Sequence, residues 1–327
     1  MKTKELFTRE ELEELDKTFT IVPLTSDNMF KAMFTYDLEI LKEFLILETG
    51  LSLNPHDTSI RILTNELPKN KIKEYKKTID IYVNLNDRIN INCELNNSSF
   101  NDYLSVRNEL YTSKLFSLMF ESGDKKEDFL KKKLIQLNLN TENVTLNYGD
   151  DIILPYGVKT GKIYPQNKET ILKYLAYYKN LYYNLDEKLD KAGLWLVVIL
   201  SENLVELYDL LENLLTKEKR DSFIRKVIEM SKDEFILSEW EKEKMDYLKE
   251  MARIKDAEDK GLANGIAKGI EQGIEQGIEQ GIEQKTQEVI LNMFEDKFTY
   301  EQISKYTNLT IPEVEAIINK ITNISNK

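Results

Sequence analysis

Carboxylate and amide side chains share one face of a predicted β-hairpin, TIDIYVNLNDRININCELN, at residues 78–96. Placing its turn at residues 86–88 opposes Asp80 to Glu94, and the alternation of side chains then makes the other face apolar throughout. Directly opposed carboxylates repel each other and cost stability unless a positive charge lies between them. This face is therefore either an ordinary solvated sheet surface or half of a metal site.

The small number of cysteine and histidine residues excludes several kinds of catalytic and metal site. The chain has one cysteine, Cys93, and one histidine, His56, so it lacks the residues for an internal disulfide framework or a Cys/His zinc site. A Ser-His or Cys-His nucleophile would need His56, which lies in the loop-like stretch NPHDTS. The remaining metal ligands are oxygens, which favour Mg²⁺, Mn²⁺ or Ca²⁺ over softer metals.

Basic residues lie on both sides of the hairpin in the sequence. The stretch KNKIKEYKK, residues 69–77, ends in Lys76 and Lys77, and the next predicted helix places Arg107 and Lys114 on one face. Contacts to phosphate supply much of the affinity of proteins for nucleic acid. We therefore expect these four side chains to bind a nucleic-acid backbone beside the acidic face.

The elements that must position these residues are predicted from hydrophobic periodicity. Residues 26–50 and 99–123 have the spacing of helices, whereas residues 58–68, the hairpin and residues 132–141 have the alternation of strands. This order of helix, strand, hairpin, helix and strand predicts a mixed α/β core.

Four short segments carry a resemblance to a known family. They are SDNMFKAMF (26–34), TIDIYVNLN (78–86), INCELNNSS (91–99) and SVRNELYTSKLF (105–116). Their order resembles the PD-(D/E)XK nuclease superfamily and, more closely, its family of recombination-promoting nucleases and transposase-like proteins. The resemblance implies an α/β restriction-endonuclease-like fold, a mixed sheet flanked by helices, with a C-terminal helical extension.

The resemblance also implies roles for individual residues. Asp80 and Glu94 match the metal-binding carboxylates of a Mg²⁺- or Mn²⁺-dependent DNA endonuclease linked to recombination or mobile-element biology. Asp27 matches the opening aspartate of the family, a further site acid, and Arg107 would contact phosphate or orient Glu94. Asn96 stands where the family usually has glutamine and the wider superfamily usually has lysine.

Asn96 is the main departure from the family pattern. An amide cannot act as a general base, so activation of water would depend on the metal alone. Asparagine is also one methylene shorter than glutamine, and catalytic groups tolerate displacements of well under about 1 Å. An alternative function therefore stays open, a catalytically weak or inactive DNA- or protein-binding module that oligomerises through a glycine-isoleucine repeat.

Composition and periodicity divide the chain into four parts. The nuclease-like core is predicted at residues 20–155, a helical extension at 156–260, a Gly-Ile-x-x repeat at 261–284 and a small helix-turn-helix-like tail at 285–327. Within the extension, residues 168–250 are predicted to be mostly helical. Its tyrosine run, residues 174–183, is more typical of a core or an interface than of an aromatic cage or a base-stacking platform.

The repeat places a glycine at every fourth position from Gly261 to Gly281, each followed by leucine or isoleucine. A period of four exceeds the 3.6 residues of a helical turn, so the stripe drifts around a helix in the right-handed sense. Each glycine costs a helix about 0.5–1 kcal/mol relative to alanine. The segment is therefore either a helix ordered by packing on a partner, which predicts a homo-oligomer, or a flexible tether.

The tail carries two capping-box signals, Thr299 with Gln302 and Thr310 with Glu313. They predict the starts of two short helices in a helix-turn-helix-like unit. Units of this size bind DNA, bind proteins or dimerise, and the only basic residue of the second helix is Lys320.

The overall charge is acidic, with a formal net charge of −12 and a pI near 5.0. This balance argues against a protein that coats nucleic acid non-specifically, although a local basic patch is compatible with it. The stretch MKTKELFTREELEEL has no apolar signal core, and the longest apolar run, LWLVVIL, is far shorter than the roughly 20 residues of a membrane helix. We expect a cytoplasmic protein with no membrane partner.

Overall fold

The computed structural model divides the chain into two compact units, residues 1–245 and residues 246–327. Each unit contains its own cluster of buried hydrophobic residues. The structure describes residues 7–63, 79–97, 102–120, 125, 127, 131–142, 148–154, 156–157, 159, 162–163, 167–185 and 187–325.

The described residues form eleven α-helices and eight β-strands. The helices are α1 Arg9–Asp16, α2 Asp27–Thr35, α3 Leu38–Glu48, α4 Asp102–Leu118, α5 Leu175–Asn184, α6 Lys191–Ile199, α7 Leu204–Leu211, α8 Lys217–Ser231, α9 Glu234–Glu295, α10 Tyr300–Thr307 and α11 Ile311–Ser325. The strands are β1 Ile60–Ile62, β2 Ile81–Leu85, β3 Ile89–Asn96, β4 Lys133–Asn140, β5 Asp150–Ile153, β6 Tyr156–Gly157, β7 Lys162–Ile163 and β8 Lys168–Tyr174. None of the helices in this part of the chain is both long and apolar enough to cross a bilayer.

Six of the strands form one mixed sheet in the order β1-β2-β3-β4-β8-β5. The first three strands are antiparallel neighbours, β3, β4 and β8 run parallel, and β5 closes the far edge antiparallel to β8. Strands β6 and β7 form a separate two-stranded sheet. The predicted α/β class with a mixed sheet flanked by helices is confirmed.

The predicted hairpin is confirmed in both its position and its register, with Ile81 opposite Cys93 and the turn at residues 86–88. Asn86 and Asp87 occupy the left-handed region of backbone space, with φ of 51° and 54°. Asparagine and aspartate tolerate this region better than other side chains because their short polar groups form local hydrogen bonds. The turn chemistry and the hydrophobic alternation therefore specify the same register.

The apolar face of the sheet carries the main core. Val83 and Ile91 are fully buried in one cluster with residues of α2, α3 and α6. In that cluster the ring centroid of Phe34 lies 4.7 Å from that of Phe44 and 6.1 Å from that of Trp195. Because large aromatic side chains dominate core energetics, this packing gives α2 a defined position beside β2 and β3.

The opposite face is lined with buried amides rather than exposed to solvent. These are Asn84, Asn90, Asn92, Asn96, Gln136, Asn138 and Asn140. Hydrogen bonds join neighbouring strands, as from Asn92 Nδ2 to Gln136 Oε1 at 2.7 Å, and Asn108 of α4 donates to Asn138 Oδ1 at 2.7 Å. Since a buried amide without a partner is costly, this network determines how α4 packs on the sheet.

The prediction of helix for residues 168–174 is wrong, because this segment is strand β8. It pairs parallel to β4, from Leu134 opposite Lys168 to Asn140 opposite Tyr174, so the sheet continues beyond the core predicted to end at residue 155. Its apolar residues match helical spacing, but a place between β4 and β5 satisfies its backbone groups on both edges. The helix expected next begins only at Leu175.

The single helix predicted over residues 26–50 is two helices, α2 and α3. The Asp37 side chain accepts hydrogen bonds from the backbone N–H groups of Glu39 and Ile40 and so starts a new helix. The predicted end at Gly50 is confirmed, since its φ of 62° suits glycine.

The Gly-Ile-x-x repeat is helical and forms part of α9. Its leucine and isoleucine side chains are 55–66% exposed, and nothing lies within 4 Å of a Cβ built on Gly261 through Gly281. In the tail, the capping box of Thr299 and Gln302 is confirmed, and the Glu313 carboxylate accepts hydrogen bonds from the backbone N–H and the hydroxyl of Thr310. α10 and α11 pack with the end of α9 around a small buried cluster.

Candidate functional site

Asp80 and Glu94 lie at the open end of the hairpin, as their predicted pairing requires. Asp80 directly precedes β2, and its Oδ2 accepts a hydrogen bond from the backbone N–H of Leu95 at 2.8 Å. The backbone N–H of Asp80 in turn points to Glu94 Oε1 at 3.4 Å. These two contacts across the strands hold both carboxylates at one end of the sheet.

The positive charge beside Asp80 comes from Lys31 of α2. Its Nζ lies 3.1 Å from Asp80 Oδ1 and 2.9 Å from Asp27 Oδ2. Burial alone would lower the pKa of Lys31, but the charge of Asp80 and the hydrogen bond and charge of Asp27 outweigh burial and raise that pKa. Lys31 is therefore a stable cation between Asp80 and Asp27, and it compensates part of the negative charge of the hairpin face.

The sequence patterns predict no role for Lys31, although it lies in the segment SDNMFKAMF. The one local signal was its spacing of four residues from Asp27, which places the two side chains on one helix face. Its contact with Asp80, 49 positions further along the chain, follows only from the packing of α2 against the sheet.

Arg107 of α4 provides the second cation of the site. Its Nη2 donates to Asn96 Oδ1 at 2.6 Å and lies 3.9 Å from Glu94 Oε2. The guanidinium lies 5.7 Å from the ring centroid of Tyr111, one turn further along α4. Arg107 thus stands beside Glu94, close enough to orient it.

Burial raises the pKa of both carboxyl groups above the ordinary values of aspartate and glutamate. Burial, followed by the charge of Asp27, raises the pKa of Asp80 to about 6, against the opposing effect of Lys31. Burial, followed by the charge of Asp80, raises the pKa of Glu94 to about 8, against the opposing effect of Arg107. The local cations therefore compensate only part of the negative charge, and the site favours additional positive charge.

Asn96 does not present a free amide to the site. Its Oδ1 accepts from Arg107, and its Nδ2 donates to Asn140 Oδ1 at 3.1 Å. Asn140 Nδ2 donates in turn to the backbone carbonyl of Lys173 at 3.2 Å. The side chain is buried, and it joins the polar face of the sheet to the guanidinium of Arg107.

The other predicted residues are placed at different distances from this centre. Asp27 is the first residue of α2, about half exposed, and it pairs with Lys31 and adds negative charge beside Asp80. Lys114 lies two turns beyond Arg107 on α4 and is half-buried. Lys76 and Lys77 lie outside the described residues.

The donor set is compatible with a hard divalent cation. Within the described part of the chain, no group of three or more Asp, Glu, His or Cys side chains has the arrangement of a metal cage. Mg²⁺, however, typically takes only one or two carboxylates and completes its shell with water and substrate phosphate. Asp80 and Glu94 supply that number. Asn92 donates to Glu94 Oε1 at 3.2 Å, and its own buried Oδ1 has no hydrogen-bond partner among the described residues.

Comparisons with protein-family models, curated proteins and solved structures gave no match to this chain.

Proposed function

We propose that this protein is a metal-dependent DNA endonuclease of the PD-(D/E)XK type, which hydrolyses phosphodiester bonds in recombination or mobile-element biology. The observation that carries the proposal is the convergence of Asp80 and Glu94 at one end of the sheet. Lys31 approaches them from the helix on the apolar face, and Arg107 from the helix on the polar face. Two carboxylates flanked by two cations suit a phosphodiester, which carries negative charge and gains more during hydrolysis.

The cofactor in this proposal is Mg²⁺ or Mn²⁺, held by Asp80 and Glu94. Such an ion, when bound, neutralises developing charge on phosphate and lowers the pKa of the attacking water. Lys31 holds its proton through two ion pairs, so it acts as a fixed charge and not as a general base. Arg107, whose side chain is 26% exposed, offers guanidinium N–H groups that suit a phosphate oxygen.

The role of Asn96 in this proposal is to position Arg107. Its carbonyl oxygen accepts the guanidinium hydrogen bond at 2.6 Å, and its amide nitrogen is bound to the neighbouring strand. Placing a charged group within a fraction of an ångström is worth orders of magnitude in rate. An amide performs this task without acting as a base.

The test is nicking of supercoiled plasmid by the full chain in Mg²⁺, Mn²⁺ or EDTA. We expect metal-dependent nicking by the wild type and its loss in Asp80→Asn and Glu94→Gln, which keep side-chain size and remove charge. Asp87→Asn is the matched control, because Asp87 is an 85% exposed acid in the turn of the same hairpin. Nicking that persists in both site variants, or that also disappears in the control, contradicts the proposal.

A catalytically weak or inactive DNA- or protein-binding module is the second candidate. The observation that favours it is the commitment of the Asn96 amide to Arg107 and Asn140, where the superfamily usually has lysine. This alternative predicts DNA binding by a folded wild type without cleavage in any divalent metal. A gel-shift assay run beside the nicking assay separates the two functions.

The partners that we propose are DNA and further copies of this chain in the cytoplasm. Self-association would use the exposed apolar stripe of the Gly-Ile-x-x repeat, where the absence of a Cβ at each glycine lets a second helix approach closely. The single cysteine, Cys93, is buried and unpaired, which suits a reducing compartment.

A further inference from the structure

A cleft of about 590 Å³ lies at the carboxyl ends of the parallel strands β4 and β8. Thr141, which directly follows β4, and Ala176, near the start of α5, form part of its lining together with Thr25. In open α/β sheets, ligands bind in the crevice outside the carboxyl ends of the strands. The volume lies within the range of about 300–1,000 Å³ that is typical of small-molecule sites.

Two hydrogen bonds join this cleft to the end of β3, beside the candidate active site. The side chain of Asn97, at the end of β3, donates to the backbone carbonyl of Thr25 at 2.9 Å. The backbone N–H of Thr141 donates to the carbonyl of Asn96 at 2.9 Å. Thr25 is also two residues before Asp27. A ligand bound in the cleft therefore adjoins the strand end that carries Glu94.

The lining suits the base and sugar of a nucleoside. Tyr183 is 47% exposed and provides a flat aromatic surface. Asn184 Nδ2 donates to Asn180 Oδ1 at 2.7 Å, which leaves the amide nitrogen of Asn180 and the amide oxygen of Asn184 as a donor and an acceptor. The Ser201 hydroxyl is buried in the lining and has no hydrogen-bond partner among the described residues. A flat face with donors and acceptors at its edge recognises a nucleobase.

The charge of the cleft is unfavourable for a phosphate group, so the cleft suits only the base and sugar of a nucleotide. Among the described residues of its lining the one cation is Lys179, and its Nζ is paired with Glu202 Oε1 at 2.8 Å. The adjoining cleft shares Lys179, Tyr183 and Glu202 and adds the acids Glu206 and Asp209. Phosphate would be repelled here, whereas a metal ion held by Asp80 and Glu94, with Arg107 beside it, would attract phosphate at the neighbouring site.

We propose that the cleft binds one nucleoside unit of the substrate strand, displaced from its stack, while the adjacent phosphate lies at Asp80 and Glu94. This inference rests on the proposed function and narrows its substrate to single-stranded or locally unpaired DNA. Stacking on Tyr183 offsets the stacking free energy that the displaced base loses. This contact accepts any base, because every base has an aromatic face.

The experiment measures binding rather than cleavage. The full-length Asp80→Asn variant in EDTA is titrated by fluorescence anisotropy with a labelled 16-nucleotide single strand and with a blunt duplex of the same sequence. We expect the single strand to bind at least tenfold more tightly than the duplex. Adding Tyr183→Ala should weaken single-strand binding at least tenfold and leave duplex binding unchanged, whereas Tyr183→Phe, which keeps the ring, should bind as before.

Two further variants test whether the effect is specific to this cleft. Tyr247→Ala removes another exposed tyrosine, one outside this cleft, and should change nothing. Asn180→Ala, at an exposed position of the cleft, should weaken single-strand binding while the melting temperature stays the same. Equal affinities for the single strand and the duplex would overturn the proposal. An unchanged single-strand affinity in Tyr183→Ala would also overturn it. If the wild type binds the single strand selectively but does not cleave DNA, the proposed nucleoside site is supported. Only the proposed nuclease activity is then contradicted.

Discussion

Charge compensation around Asp80 depends on Lys31, which makes ion pairs of 3.1 Å with Asp80 and 2.9 Å with Asp27. We predict that Lys31→Met lowers the free energy of unfolding by about 1–3 kcal/mol, because a largely buried carboxylate loses its partner. Urea denaturation at pH 7 measures this change. Lys17→Met, which removes an exposed ion pair with Glu14, is the control and should stay within about 0.5 kcal/mol of the wild type. A Lys31→Met value as small as the control would show that Asp80 is not held by this pair.

For Arg107, we expect the planar geometry of the side chain to matter more for cleavage than its charge alone. Its Nη2 donates to Asn96 Oδ1 and also lies 3.9 Å from Glu94 Oε2, so one guanidinium nitrogen faces both groups. We predict that Arg107→Lys lowers the cleavage rate by about tenfold or more, since an ammonium lacks the planar set of donors that can hold Asn96 and still offer an N–H group to phosphate. Plasmid nicking measures the rate, and Arg61→Lys, at an exposed arginine paired with Asp87, should match the wild type. Full activity of Arg107→Lys would mean that only its charge is used.

Glu48 is a fully buried carboxyl group on the core side of the fold, and it gives a pH prediction. Burial raises its pKa to about 8, and Lys173, 3.6 Å away, opposes this shift. The folded chain then binds this proton more tightly than the unfolded chain, whose glutamate titrates near 4.5. Stability due to this group is complete below pH 4.5 and is lost as the pH rises toward 8.

We therefore predict that Glu48→Gln makes the protein more stable than the wild type at pH 8, by an amount on the order of 1–3 kcal/mol, with little difference at pH 4.5. Chemical denaturation at these two pH values measures the effect. Lys173 keeps its ion pair of 2.8 Å with Asp150 in this variant, so its charge stays compensated. A destabilised Glu48→Gln at pH 8 would mean that the ionised Glu48–Lys173 pair stabilises the fold.

Among the elements, the Gly-Ile-x-x stretch of α9 has a surface without a partner in the described chain. A period of four advances the stripe by about 40° per repeat around the helix, so two such helices meet at one crossing and not along their whole length. Four identical GIEQ repeats, preceded by GLAN and GIAK, offer several equivalent crossing points. The stripe is thus suited to self-association with an adjustable register.

We predict that the triple variant Gly269→Ala, Gly273→Ala and Gly277→Ala raises helicity but weakens self-association. Alanine favours a helix over glycine by about 0.5–1 kcal/mol per position, while each added methyl group keeps a second backbone away. Circular dichroism and light scattering after size-exclusion chromatography measure the two effects.

Alanine at Gln272, Gln276 and Gln280 is the matched control on the same helix. It should also raise helicity slightly, because alanine is the best helix former, but it should leave the mass unchanged. A wild-type chain that is monomeric at every concentration tested would contradict the oligomer proposal.

For the molecule as a whole, the candidate site and the repeat belong to different compact units. Residues 1–245 contain the six-stranded sheet, the main core and all four site residues, whereas the repeat and tail belong to residues 246–327. The first unit also keeps the start of α9, where Ile236 and Trp240 pack on the core. An independently folding unit needs such a core of its own.

We predict that the chain truncated after residue 245 folds cooperatively, keeps metal-dependent nicking and loses self-association. Thermal melting, plasmid nicking and light scattering measure these three properties. Loss of nicking by a folded monomer would instead show that catalysis needs the second unit or the assembled form.

The extent of what could be predicted differs between local and long-range features. The hairpin register, the turn at residues 86–88 and the capping box at Thr299 follow from neighbours in the sequence, and all three are confirmed. Strand β8 was mistaken for helix because its apolar spacing fits both structures. Its place between β4 and β5 became clear only from the pairing of distant segments.

The sequence by itself determined which side chains share a strand face, because alternation in a strand and turn chemistry are local properties of the backbone. It therefore brought Asp80 and Glu94 together before any tertiary contact was known. Only the tertiary structure decided what compensates them, since Lys31 and Arg107 arrive on helices that pack on opposite faces of the sheet. It also decided that Asn96 is bound to Arg107, because that hydrogen bond depends on the position of α4 over the polar face, which no local pattern specifies.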